Sequence, residues 1–185
     1  MLDLAILGLL RESDLHGYEI RRRLGEILGP IARLSFGTLY PALNRLETEG
    51  AVRVVNVTKS RTRLTTERGR KVYTLTDIGK EIFEELLEAG STAATDDKAF
   101  AIRMAFARYL PKDARLRFLV RRREQLHAQL VEAQQSFANN VTELDSYRRS
   151  LIEHGNEMRA KDIDWLDSMI SQEQQVNRPS RASKP

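Results

Sequence analysis

Two strand-like runs that flank a basic stretch restrict the fold of this chain more than any other feature of its sequence. The first run, Ala51 to Thr58, is rich in valine, and the second, Arg70 to Thr76, alternates its side chains between two faces. Alternation with a period of two is typical of a β-strand. The stretch between the runs, Lys59 to Gly69, is polar and basic. The pattern predicts a β-hairpin with a long, charged tip.

Three helical segments are predicted before this hairpin. Leu2 to Arg11 is almost wholly apolar and rich in leucine, which favours a buried helix. Tyr18 to Leu28 carries an apolar stripe at helical spacing and stops at Gly29 and Pro30. The third segment begins near Ser35, and Gly50 is placed to end it as a left-handed C-cap.

The position of Pro41 leaves the start of the third helix open. If Thr38 is the N-cap, Pro41 lies within the first turn, where a missing N–H group leaves no hydrogen bond unmade. If Ser35 is the N-cap, Pro41 lies deeper and a kink is expected. The sequence alone does not choose between the two.

A composition shift after the hairpin predicts how the domains are divided. A fourth helix, near Ile78 to Leu87, is followed by a small and polar stretch, and two long helical patterns come after it. We therefore predict a mainly α fold with a small β-hairpin wing: a winged helix-turn-helix domain plus long C-terminal antiparallel helices. The predicted parts are a DNA-binding domain at 1–90, a helical dimerisation domain at 96–175 and a disordered tail at 176–185.

Several classes of protein are excluded by residues that are rare or absent. The chain has no cysteine, which rules out disulfides, thiolate catalysis and zinc fingers. Its three histidines are far apart and form no metal-binding motif, and no phosphate-binding glycine loop occurs. We therefore expect no enzyme activity, no metal and no cofactor. No apolar run is long enough to span a membrane and no signal peptide is evident, so the cytoplasm is the expected location.

Basic residues are concentrated around the predicted hairpin. The net charge is only +4, but seven basic residues lie between Val52 and Val72, opposed by Glu67 alone. A cationic hairpin beside a helix that fits the major groove is a typical arrangement for binding duplex DNA. The order of three helices, strand, basic tip, strand and helix therefore indicates a winged helix-turn-helix.

Four motifs in this order resemble the PadR family of bacterial transcriptional regulators. They are Leu4–Leu10, His16–Ile20, Gly37–Leu43 and Arg70–Gly79, and together they cover most of residues 1–90. The C-terminal half is similar to the longer subgroup of that family, which has an extended dimerisation arm. The predicted wing tip is longer than is usual for the family.

This resemblance implies a homodimer that binds an inverted-repeat operator in double-stranded DNA. Such a regulator is usually a repressor, and a small-molecule effector releases it. The alternative function is a winged-helix protein-interaction module without specific DNA binding. Seven basic residues at the wing favour the DNA-binding interpretation.

Two sets of residues are predicted to carry these functions. For His16 and Tyr18, capping and packing of the second helix are the alternative to a phosphate contact. The predicted DNA-contacting residues are His16, Tyr18, Arg22, Ser35, Thr38, Tyr40, Pro41, Asn44, Arg45, Lys59, Arg61, Arg63, Arg68, Arg70 and Lys71. The predicted dimerisation residues are Leu116, Leu119, Leu126, Leu130, Phe137, Leu144, Leu151, Met158, Trp165, Leu166 and Met169.

Overall fold

The computed structural model describes residues 1–29, 36–56, 71–89, 96–140 and 145–175. Two compact units are present, Met1–Leu110 and Pro111–Pro185. The first unit contains α1 Leu2–Glu12, β1 Leu15–His16, α2 Gly17–Leu28, α3 Phe36–Thr48, β2 Val52–Asn56, β3 Lys71–Leu75, α4 Asp77–Ala89, α5 Asp97–Ala105 and a 3₁₀ turn at Ala107–Tyr109. The second contains α6 Lys112–Asn140 and α7 Ser146–Gln175. These elements confirm the predicted mainly α fold with a small hairpin.

The sheet has three antiparallel strands in the order β1-β3-β2. Val54 is paired with Tyr73 across the hairpin, and Leu15 is paired with Tyr73 on its other side. The sequence predicted β2 and β3 but only a turn before α2. Strand β1 has two residues, which is too short for an alternating pattern to be recognised in the sequence.

The start of α3 shows whether Pro41 lies in the first turn of the helix or deeper. Helix α3 begins at Phe36, so Thr38 lies inside the helix and is not its N-cap. Pro41 is consequently the sixth residue of the helix, the deeper of the two predicted positions. Ser35, the other predicted cap, lies outside the described residues, as do the hairpin tip and the tail at 176–185.

The core of the first unit is built on α1. Its side chains from Leu4 to Leu10 are buried, because α2, α3 and α4 all pack against this helix. Gly79 lets α4 approach the end of α3, since a Cβ atom there would lie 2.1 Å from the carbonyl oxygen of Ala51. The hydroxyl of Thr76 accepts a hydrogen bond from the Gly79 N–H at 3.0 Å and caps α4 as predicted.

Helix α5 belongs to the first unit, which moves the division of the chain from the predicted 90–96 to Leu110. Phe106 is 1% exposed, and its ring packs edge-to-face on Phe83 with 5.9 Å between the ring centres. The ring also lies against Gly8, where a Cβ atom would be 2.6 Å from it. Burial of this aromatic side chain therefore joins residues after the polar 89–95 stretch to the core that precedes it.

In the second unit, α6 and α7 form an antiparallel hairpin. The guanidinium of Arg115 donates two hydrogen bonds to the Glu173 carboxylate, at 2.6 and 2.9 Å. Two turns further along α6, Arg123 forms an ion pair with Asp167 at 2.6 Å. The pairing runs forward along one helix and backward along the other, as an antiparallel arrangement requires. Leu119, Leu126 and Leu166 are buried within the single chain.

Candidate nucleic-acid interface

Helix α3 presents a polar face to solvent because its apolar residues are confined to the opposite face. Leu39, Leu43 and Leu46 are at most 1% exposed, and they recur at the spacing of one helical face. Packing of that face against α1 and α2 fixes which residues remain outside. The exposed side chains of α3 include Thr38, Tyr40, Pro41, Asn44 and Arg45, all of which were predicted to contact DNA.

Tyr40 lies where α3 meets the start of α2. A Cβ atom on Gly17 would be 3.2 Å from the Tyr40 ring, so the glycine permits this close approach. Behind it, burial raises the pKa of the Tyr73 hydroxyl, and the nearby Tyr40 and Glu47 add to the effect. Tyr73 is 1% exposed, whereas Tyr40 is 41% exposed.

His16 joins the start of α2 to the hairpin. It is the N-cap residue of α2, and its backbone N–H donates to the Glu19 carboxylate at 3.1 Å. Its imidazole Nδ1 lies 3.4 Å from the carbonyl oxygen of Lys71, whose side chain is exposed. Of the two interpretations of His16, this geometry supports the capping role. Tyr18, in the first turn, is 64% exposed and points to solvent.

Two of the predicted arginines are engaged within the chain. Arg22 forms an ion pair with Glu26 at 2.6 Å, one turn further along α2. Arg45 forms a short ion pair with Asp3 of α1 and a longer one with Glu49, at 3.9 Å. Contact of either arginine with a phosphate therefore competes with an acid that is already in place.

The remaining predicted DNA-contacting residues divide between the ends of the hairpin and undescribed segments. Lys71 is exposed at the start of β3, and Arg53 of β2, which was not among the predicted contacts, is exposed near the other end of the paired strands. The structure brings Lys71 next to α2 by pairing β1 with β3. Ser35, Lys59, Arg61, Arg63, Arg68 and Arg70 lie outside the described residues.

The predicted dimerisation residues are of two kinds in the structure. Leu119, Leu126 and Leu166 are buried in the α6–α7 hairpin of their own chain, whereas three residues of α7 are exposed. Leu151 is 72% exposed, Met158 45% and Trp165 44%, and these three residues are seven positions apart. Leu116, Leu130, Phe137 and Met169 are half-buried, and Leu144 lies outside the described residues.

Sequence reasoning missed Asp3 and Glu19 as partners of the interface residues. The signal for Glu19 was present, because a glutamate three residues after an N-cap is typical of a capping box. Asp3 carried no such signal, since it lies 42 residues from Arg45 in the sequence. Only the packing of α1 against α3 brings these two side chains together.

Metal-ligand clusters and membrane-spanning helices are both absent from the described residues. Within those residues, no group of three or more histidine and acidic side chains is placed to hold a metal ion. None of the described helices has the length and apolar character needed to cross a bilayer.

Two families of known proteins match successive parts of the sequence. Residues 6–85 match the family described as "Transcriptional regulator PadR-like family". Residues 98–172 match the family described as "Virulence activator alpha C-term". The first match spans α1 to α4 and the described ends of the hairpin. The second spans most of α5, α6 and α7.

Individual relatives align with nearly the whole chain. The "Negative transcriptional regulator PadR" of Bacillus subtilis is 27% identical over 180 residues, which cover 92% of this chain and 96% of that protein. The solved structure of Bacillus subtilis PadR with operator DNA is 26% identical, with coverage of 93% and 98% and a TM-score of 0.43. The structure of the same regulator with p-coumaric acid is 24% identical, with coverage of 94% and 98% and a TM-score of 0.39.

Proposed function

Because residues 6–85 match the PadR-like family of transcriptional regulators, we propose that the chain binds a specific operator in duplex DNA through α3. The observation that carries the proposal is the exposed polar face of α3, backed by a fully buried apolar face. A helix held rigidly in this way can enter the major groove and present its side chains to base edges.

The residues of α3 would divide between base and backbone contacts. The Asn44 amide can donate to and accept from one adenine edge, which distinguishes adenine from the other bases. The hydroxyl groups of Thr38 and Tyr40 suit phosphate oxygens, which position the helix without reading sequence. Asn44 is therefore the side chain most suited to sequence discrimination on this face.

The hairpin would add affinity rather than specificity. Arg53 and Lys71 are exposed at its described ends, and the sequence places Lys59, Arg61, Arg63 and further basic residues between them. Such side chains neutralise phosphates and release counterions, which makes binding dependent on salt. We propose that the hairpin lies along the backbone beside the groove that α3 occupies.

The operator is proposed to be an inverted repeat read by a homodimer. The exposed Leu151 and Met158 on one face of α7 support this, because apolar side chains in such a row are stabilised by a second helix. Two copies of α3 would then reach half-sites about 34 Å apart, or a multiple of that spacing. The relative's description as a negative regulator supports repression, and release by a small effector is proposed on the family resemblance alone.

A titration with matched variants tests the DNA-binding proposal. The protein's own upstream DNA is the probe, scrambled DNA is the competitor, and binding is followed by mobility shift at two salt concentrations. We expect Asn44→Ala to lose roughly 1–3 kcal/mol of discrimination between operator and scrambled DNA. Asn139→Ala, which removes the same amide from an exposed position on α6, is the control and leaves discrimination unchanged.

Two results would contradict the proposal. If scrambled DNA removes the wild-type protein as readily as the operator does, binding is non-specific and the protein-interaction alternative is favoured. If Asn44→Ala and Asn139→Ala bind identically, the exposed face of α3 does not read the DNA sequence.

A further inference from the structure

Arg45 occupies an unusual position for a cation on the exposed face of a DNA-reading helix. It lies seven residues after Thr38, two turns further along that face, so both side chains are presented on the same side. Its guanidinium is not free, because Asp3 in the first turn of α1 forms an ion pair with it. The Glu49 carboxylate lies 3.9 Å from the Nε atom of the same guanidinium.

The end of α3 is consequently more acidic than its beginning. Asp3 and Glu49 both lie near the single positive charge of Arg45, and the side chains of Arg45 and Asp3 are 53% and 31% exposed. An exposed ion pair of this kind is weak, but a phosphate group that approaches Arg45 must first displace Asp3 from it. The same carboxylates repel the phosphate backbone when DNA approaches.

We propose that Asp3 is a positioning residue that holds Arg45 off the phosphate backbone and thereby lowers the affinity for DNA of any sequence. This inference rests on the proposed function of α3. The chemistry is competition between two anions, the Asp3 carboxylate and a DNA phosphate, for one guanidinium. Because a phosphate contact carries no sequence information, the effect is the same for operator and scrambled DNA.

The competition has a direct signature in the salt dependence of binding. Releasing Arg45 adds one phosphate contact per protomer, and each such contact makes the slope of log K against log salt steeper by about 0.9. We expect Asp3→Asn to tighten binding to both DNAs by about three- to tenfold at low salt, with the steeper slope. The ratio of the two affinities stays at the wild-type value.

A double-variant experiment on the full chain separates this role from simpler ones. Asp3→Asn, Arg45→Gln and the double variant are titrated with operator and scrambled DNA over a range of salt. We expect the gain from Asp3→Asn to disappear in the Arg45→Gln background. Asp3→Glu restores the pair and returns affinity to the wild-type value. Glu88→Gln, which removes one exposed negative charge from α4, is the matched control and changes nothing.

Each alternative gives a different result. If the gain persists with Arg45→Gln, Asp3 acts only as a repulsive charge and the proposal is wrong. If Asp3→Asn lowers the melting temperature but leaves DNA affinity and salt slope unchanged, the pair merely fastens α1 to α3, which also overturns it. If operator binding strengthens while scrambled DNA is unaffected, Arg45 reads a base and not a phosphate. Failure of the wild-type protein to bind any DNA would instead refute the proposed function itself.

Discussion

Removal of the Phe106 side chain tests whether α5 belongs to the N-terminal unit. The ring is 1% exposed, its centre lies 5.9 Å from that of Phe83, and it fills the space left by Gly8. Truncation of a buried phenylalanine to alanine costs about 3–5 kcal/mol, including about 0.5–1.5 kcal/mol from the lost edge-to-face contact. In a unit of this size, Phe106→Ala should lower the melting temperature by at least about 12 °C.

The assay is urea unfolding followed by far-ultraviolet circular dichroism. The matched control is Tyr18→Ala, which removes a 64% exposed aromatic ring from the same unit and should change the free energy of unfolding by less than about 0.5 kcal/mol. A loss below about 1 kcal/mol for Phe106→Ala would refute the reasoning. It would mean that the ring is not part of the core and that the first unit ends before α5.

Two further predictions concern α4 and α7. Gly79→Ala should destabilise the chain by more than about 2 kcal/mol in urea unfolding, because its Cβ atom would lie 2.1 Å from the Ala51 carbonyl oxygen. The control is Gly25→Ala, whose Cβ atom meets no atom within 4 Å and which should stabilise α2 by about 0.5–1 kcal/mol. If the two substitutions change the free energy of unfolding equally, the contact between Gly79 and Ala51 is not tight. Leu151→Glu should shift the mass measured by light scattering from two chains towards one. The control is Glu157→Ala, an exposed position on the same helix, which should leave the measured mass unchanged. A monomeric wild-type protein would contradict the dimer proposal.

Most of the elements were predictable because their signals are local. Three features depend only on residues a few positions apart: the apolar stripe of α3, the alternating residues of β3 and the N-cap at Thr76. The predicted polar face of α3 is accordingly the exposed face in the structure. The division of the chain was not predictable in this way, because the position of Phe106 depends on a glycine about a hundred residues earlier.

The sequence by itself determined the type and order of the elements and, through four motifs, the resemblance to the PadR-like family that residues 6–85 match. Tertiary structure alone decided that Arg45 is paired with Asp3, and it added β1 by pairing Leu15 with Tyr73. The reason is physical: helical and strand periodicities are properties of neighbouring residues, whereas the Asp3–Arg45 pair exists only because α1 packs on α3. The i,i+4 spacing indicates local pairs such as Arg22–Glu26, but no local pattern indicates that Asp3 meets Arg45.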